Sequence, residues 1–125
     1  MKPFFPAALA LASVTAATAA EPAGTEPVER GRVVFAACAV CHAANAEVPN
    51  QGPDLRGVVG RKAGTLPGFR FSRALRESGR TWTEEALAEF LEDPQAAVPG
   101  TTMPFPGIPD EAPRRDLIAY LKTLK

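Results

Sequence analysis

The stretch Cys38-Ala39-Val40-Cys41-His42 holds both cysteines and the single histidine of this 125-residue chain. Gathering those ligands into five residues calls for a chemical reason. On a helix Cys38 and Cys41 lie three apart and share a face, with His42 projecting beside them. Two thiols so placed add to the two vinyl groups of a haem as thioethers. The imidazole then reaches the iron from the same side, and the spacing C-x-x-C-H reads as a c-type haem attachment site. Three other readings compete less well. A thioredoxin-type dithiol needs a βαβ setting, and no alternating strand run is visible. A structural zinc needs four strong ligands, and no second Cys or His pair exists. A disulfide is poorly served by two cysteines so close in one helix.

The rest of the chain agrees with one small exported domain. Residues 1–20, "MKPFFPAALALASVTAATAA", run from a lysine through an apolar stretch to small residues, the layout of a secretory signal peptide cleaved near Ala19 or Ala20. An uncleaved anchor fits less well, because the run is short, weakly apolar beyond Leu11 and broken by Pro6. Residues 21–27 read as a polar lead-in and 28–125 as the domain. A helical pattern starts at Val28, with Val33, Val34 and Ala37 one turn apart and Phe35 and Cys38 likewise. Ser72 and Gly79 bracket a short helix. Thr83 caps a better one, which Pro94 ends, with Ala86, Leu87, Phe90 and Leu91 on one face. The five prolines between Ala96 and Pro113 exclude helix for most of that span. From Arg114 an amphipathic segment presents Leu117, Leu121 and Leu124. The outline is all-α: three main helices joined by long Gly/Pro loops, which a porphyrin plate would give something to wrap around.

Formal net charge is zero, so bulk attraction to nucleic acid or membrane is not indicated. The charges are uneven along the chain. Between Gly52 and Arg80 seven basic side chains face two acidic ones, and between Thr83 and Asp116 eight acidic ones face two basic. Such a dipole orients a protein approaching a charged partner.

Met1 leaves with the leader, so Met103 is the one thioether of the mature domain. A methionine commonly fills an apolar gap. Met103, however, stands in the proline-stiffened "PGTTMPFPG", able to reach across a haem opposite His42. His/Met ligation raises an iron's reduction potential and leaves no open position for substrate.

From Gly31 to Leu124 the chain resembles a class I cytochrome c, on "CAVCH", "GPDLRGVVGRKAG", "PGFRFS", "SGRTW", "LAEFLEDP", "PGTTMPFPGI" and "RRDLIAYLKTL" in order. The resemblance implies the cytochrome c fold around one haem c bound through Cys38 and Cys41, with His42 and Met103 as axial ligands. It implies that the Pro53 carbonyl accepts the His42 ring N–H, and that Arg61 and Trp82 hydrogen-bond the propionates. The plainer alternatives are a solvated loop charge for Arg61 and core packing for Trp82. It also implies that Gly31 and Phe35 meet Leu117 and Tyr120 where the first and last helices cross.

Phe71 and Phe90 stand where the mitochondrial type has tyrosines, and Leu75 replaces a polar residue, so a drier distal side is expected. Lysines are few: Lys62, Lys122 and Lys125 in the mature chain. By resemblance the protein is a monomeric periplasmic one-electron carrier, not an enzyme. It would take electrons from a membrane quinol-oxidising cytochrome complex and pass them to an oxidase, a reaction centre or another redox enzyme. The competing readings are a haem subunit of a larger enzyme and a peroxidase-like or gas-sensing haem with a labile sixth ligand.

Overall fold

Five helices appear among the described residues of the computed structural model, which are 1–3, 26–42 and 51–125. They are α1 (Pro27–His42), α2 (Arg73–Glu77), α3 (Glu84–Glu92), α4 (Pro94–Ala97) and α5 (Glu111–Leu121). The expected leader beyond residue 3, its cleavage point and most of the 21–27 lead-in lie outside the described residues. No helix among those described is long and apolar enough to cross a membrane.

The caps explain where the middle helices start. The Ser72 hydroxyl accepts from Leu75 N–H at the head of α2, and Thr83 accepts from Ala86 N–H at the head of α3. Each satisfies a donor that the first turn leaves free. Pro94 does end α3, but it also opens α4, with Asp93 accepting from Ala96 N–H. Proline suits that first position because its missing N–H is not needed there. The same tolerance corrects the expected start of the last helix. α5 begins at Glu111 and carries Pro113 in its first turn. It ends at Leu121, with Lys122 as its cap.

The core is the meeting of α3 and α5. Leu87, Phe90 and Leu91 face Leu117, Ile118 and Leu121, all buried. The most extensive helix contact is α1 on α5. There the Phe35 and Tyr120 rings pack with centroids 5.0 Å apart. A Cβ at Gly31 would collide with the Asp116 carbonyl and come within 2.8 Å of Tyr120 Cβ, so only glycine admits this crossing. Arg30 closes it with a two-pronged ion pair to Asp116, Nε to Oδ2 at 2.7 Å and the second nitrogen to Oδ1 at 3.0 Å.

The inward face of α1 differs from the expected one. Val34, Phe35 and Cys38 pack on the core, while Val33 and Val40 are 66% and 70% exposed. Periodicity alone does not distinguish an apolar face that packs from one that stays wet.

No strand is formed among the described residues. Residues 60–63 nevertheless run antiparallel to 80–82, through Ala63 N–H to Arg80 O, Trp82 N–H to Arg61 O and Gly60 N–H to Trp82 O, each at 2.8 Å. That short pairing fixes where Arg61 and Trp82 stand.

Candidate functional site

Between the loops and the helix core lies a cavity of about 320 Å³. That lies in the range of about 300–1,000 Å³ usual for small-molecule and cofactor sites. Its walls draw on every region singled out from the sequence: Cys38, Cys41, His42, Pro53, Arg61, Trp82 and Met103 all line it. Leu55, Val58, Phe69, Phe71, Leu75 and Phe90 make most of the remaining wall apolar.

The C-terminal turn of α1 brings Cys38, Cys41 and His42 to this cavity. Both thiols are half-buried and unpaired. Burial pushes the Cys38 thiol above its usual range, with Cys41 beside it adding to the rise. His42 Nδ1 lies 2.8 Å from the Pro53 carbonyl oxygen. A carbonyl only accepts, so Nδ1 carries the proton and the Nε2 lone pair is left for another partner. Burial pushes the imidazole below its usual pKa, outweighing the Pro53 bond, which acts the other way. A neutral ring held by a backbone carbonyl is the state in which histidine ligates metals. Gly52 makes room for it, since a Cβ there would lie 2.7 Å from His42 Cε1 and Nδ1.

Trp82 is buried at 7% exposure, and its ring packs on Phe90 with centroids 5.0 Å apart. Its indole N–H has no hydrogen-bond partner among the described residues, and it is not sealed away from the cavity. Arg61 is the one formally charged side chain among the described lining residues. Its guanidinium donates to the Asp54 carbonyl at 3.0 Å and the Arg56 carbonyl at 3.3 Å, which leaves further N–H groups unspent. So the sequence expectation for Arg61 gains a second element: it also braces the segment that follows Pro53.

The donor set therefore fits a haem c. It offers two thiols on one face, one imidazole nitrogen, one thioether, and an N–H and a guanidinium suited to carboxylates. It does not suit a closed zinc site, because no group of three or more His, Cys, Asp or Glu side chains among the described residues is placed to hold a metal.

Two contributors escaped the sequence. Gly52 was readable only as part of a turn, since its role depends on a ring ten residues earlier. Thr101, a buried polar residue of the wall, has no local signal at all.

The family model described as Cytochrome c matches residues 28–125. The chain belongs to the cytochrome c family. Among its relatives, a cytochrome c2 of Blastochloris viridis is 46% identical over 107 residues, covering 85% of this chain and 84% of that one. A cytochrome c of Euglena viridis is 46% identical over 98 residues, covering 78% of this chain and 96% of its own. A solved structure, cytochrome cH from Methylobacterium extorquens, superposes with TM-score 0.71 at 49% identity, covering 77% of this chain and 97% of its own. This cytochrome c is thus an all-α electron-transfer protein and not an enzyme.

Proposed function

We propose that the chain is a periplasmic one-electron carrier with haem c attached through Cys38 and Cys41 and ligated by His42 and Met103. The haem supplies one reversible electron at its iron. The observation that carries the reading is the convergence of the two thiols, the His42 ring and Met103 on one apolar cavity.

The residues of the chain do the rest. Pro53 holds the His42 ring in one tautomer and one orientation, so the imidazole would already be set to ligate an iron without turning. The mostly apolar walls disfavour water, and His42 and Met103, if both ligate the iron, would leave no place for substrate. Arg61 and Trp82 are read as donors to the propionates. Export through residues 1–20, with cleavage near Ala19 or Ala20, places thioether formation outside the cytoplasm. The partners are a membrane quinol-oxidising complex on one side and an oxidase, reaction centre or other redox enzyme on the other. They are met transiently by a monomer.

Adding carbon monoxide to the reduced mature protein tests the sixth position. An unchanged optical spectrum is expected. A prompt shift would show an open or labile site and move the reading to a gas-sensing or peroxidase-like haem.

A further inference from the structure

Met103 has no regular element of its own, and its loop is secured from outside. Arg80 reaches over from the segment that pairs with residues 60–63. One guanidinium nitrogen donates to Glu89 Oε2 at 2.8 Å. The other donates to Glu89 Oε1 at 3.1 Å and to the Ala97 carbonyl at 2.8 Å. The side chain is 23% exposed, so the fork is partly shielded from water. Ala97 is the last residue of α4, and its carbonyl has no continuing helix to accept from. The chain then passes through buried Val98 and Thr101 to Met103.

We propose that Arg80 is the positioning residue for Met103: it ties the segment bearing Trp82 to the end of α4 and so holds the Met103 loop against the cavity. The inference rests on the reading of Met103 as the sixth ligand. The physical case has three parts. A guanidinium fork spans two acceptors in fixed geometry, as a lysine point charge does not. Each bond is charge-assisted. Its backbone is itself pinned, since the Arg80 carbonyl accepts from Ala63 N–H at 2.8 Å. Gly100, in the left-handed region with φ of +91°, lies between the gripped carbonyl and Met103. Released at Ala97, that stretch keeps the Gln95 side-chain bond to the Thr101 carbonyl, at 2.7 Å, as its one side-chain tether among the described residues.

The test uses the holoprotein in its ferric state. External imidazole binds only when Met103 is off the iron, so its apparent affinity scales with the open fraction. For Arg80→Met the expected result is a rise in imidazole affinity of about tenfold, the ratio for losing one charge-assisted hydrogen bond. The far-red band of thioether-ligated ferric haem should then be lost at about a tenfold lower imidazole concentration. Glu89→Gln, at an exposed position, should shift both in the same direction by less, and it decides the matter if Arg80→Met does not accumulate. An unfolding midpoint that drops while imidazole affinity and the far-red band stay put would overturn the proposal. Absence of the thioether band from the unsubstituted protein would instead overturn the Met103 reading itself.

Discussion

Phe90 shows how much one missing oxygen matters. Its ring is 6% exposed, leans on Trp82 and shares the cavity wall with Met103. A tyrosine there, as in the mitochondrial type, would bring a hydroxyl to a wall that here is carbon. If Met103 is the sixth ligand, as proposed, a sulfur facing this carbon wall would give more density to ferric iron and stabilise the oxidised state. Phe90→Tyr is therefore expected to raise the reduction potential. One hydrogen bond contributes about 1 kcal/mol at most between the two states, so the rise is up to about 40 mV. Redox titration of both proteins reads it, and a lower potential in the variant would refute the account. The seven residues read from the sequence as site residues line this cavity. Cys38, Cys41 and His42 were legible from the chemistry of their spacing, Met103 from its proline-stiffened loop, and Pro53, Arg61 and Trp82 only through the family resemblance. Arg80 was not readable. Its partners Glu89 and Ala97 lie 9 and 17 residues away, and no spacing rule links them.

Among the elements, α1 and α5 depend on each other most. Gly31 lets them touch and Arg30–Asp116 closes the contact, with the Asp116 side chain 8% exposed. The Arg30 guanidinium, by its hydrogen bonds, holds the Asp116 carboxyl below its ordinary value of 3.8. A carboxyl lowered on folding contributes stability that is complete above the ordinary value. That contribution is lost as pH falls through the folded one. So unfolding midpoints in urea should hold from neutral pH to about the ordinary value, then fall. Asp116→Asn should already be weaker at neutral pH, and its deficit against the parent should shrink below pH 4. A deficit that stays constant down to pH 2 would refute the ion-pair account. The crossing was legible from Gly31, Phe35, Leu117 and Tyr120. The helix limits around it were less so. Pro113 reads as a breaker but is harmless in a first turn, and Val33 reads as core but lies in solvent.

For the whole molecule the charge pattern of the sequence changes meaning once the chain folds. Of the seven basic side chains between Gly52 and Arg80, Arg56 pairs with Asp54, Arg73 with Glu77 and Arg80 with Glu89. Arg61 turns to the Asp54 and Arg56 carbonyls. Arg61, Lys62, Arg70 and Arg76 are left without an ion pair among the described residues, and of these Lys62, Arg70 and Arg76 are exposed. The acidic stretch is paired in part, with Glu84 held by Lys122 at 3.2 Å and Asp116 by Arg30, while Glu85, Asp93 and Asp110 make no ion pair among the described residues. A paired charge seen from beyond a Debye length, about 10 Å at 0.1 M salt, acts as a small dipole rather than a charge. Steering of a partner by this basic stretch then depends on its exposed unpaired cations, Lys62, Arg70 and Arg76. Neutralising Lys62, Arg70 and Arg76 together should slow electron transfer to an acidic redox partner about tenfold at low ionic strength, and converge with the parent as salt rises. Removing a pair, Arg73→Gln with Glu77→Gln, should leave the rate unchanged. Stopped-flow mixing across ionic strengths separates the two. If the paired deletion slowed the reaction as much as the triple one, the Arg73–Glu77 pair would itself take part in the encounter and the account in which paired charges do not steer would be wrong.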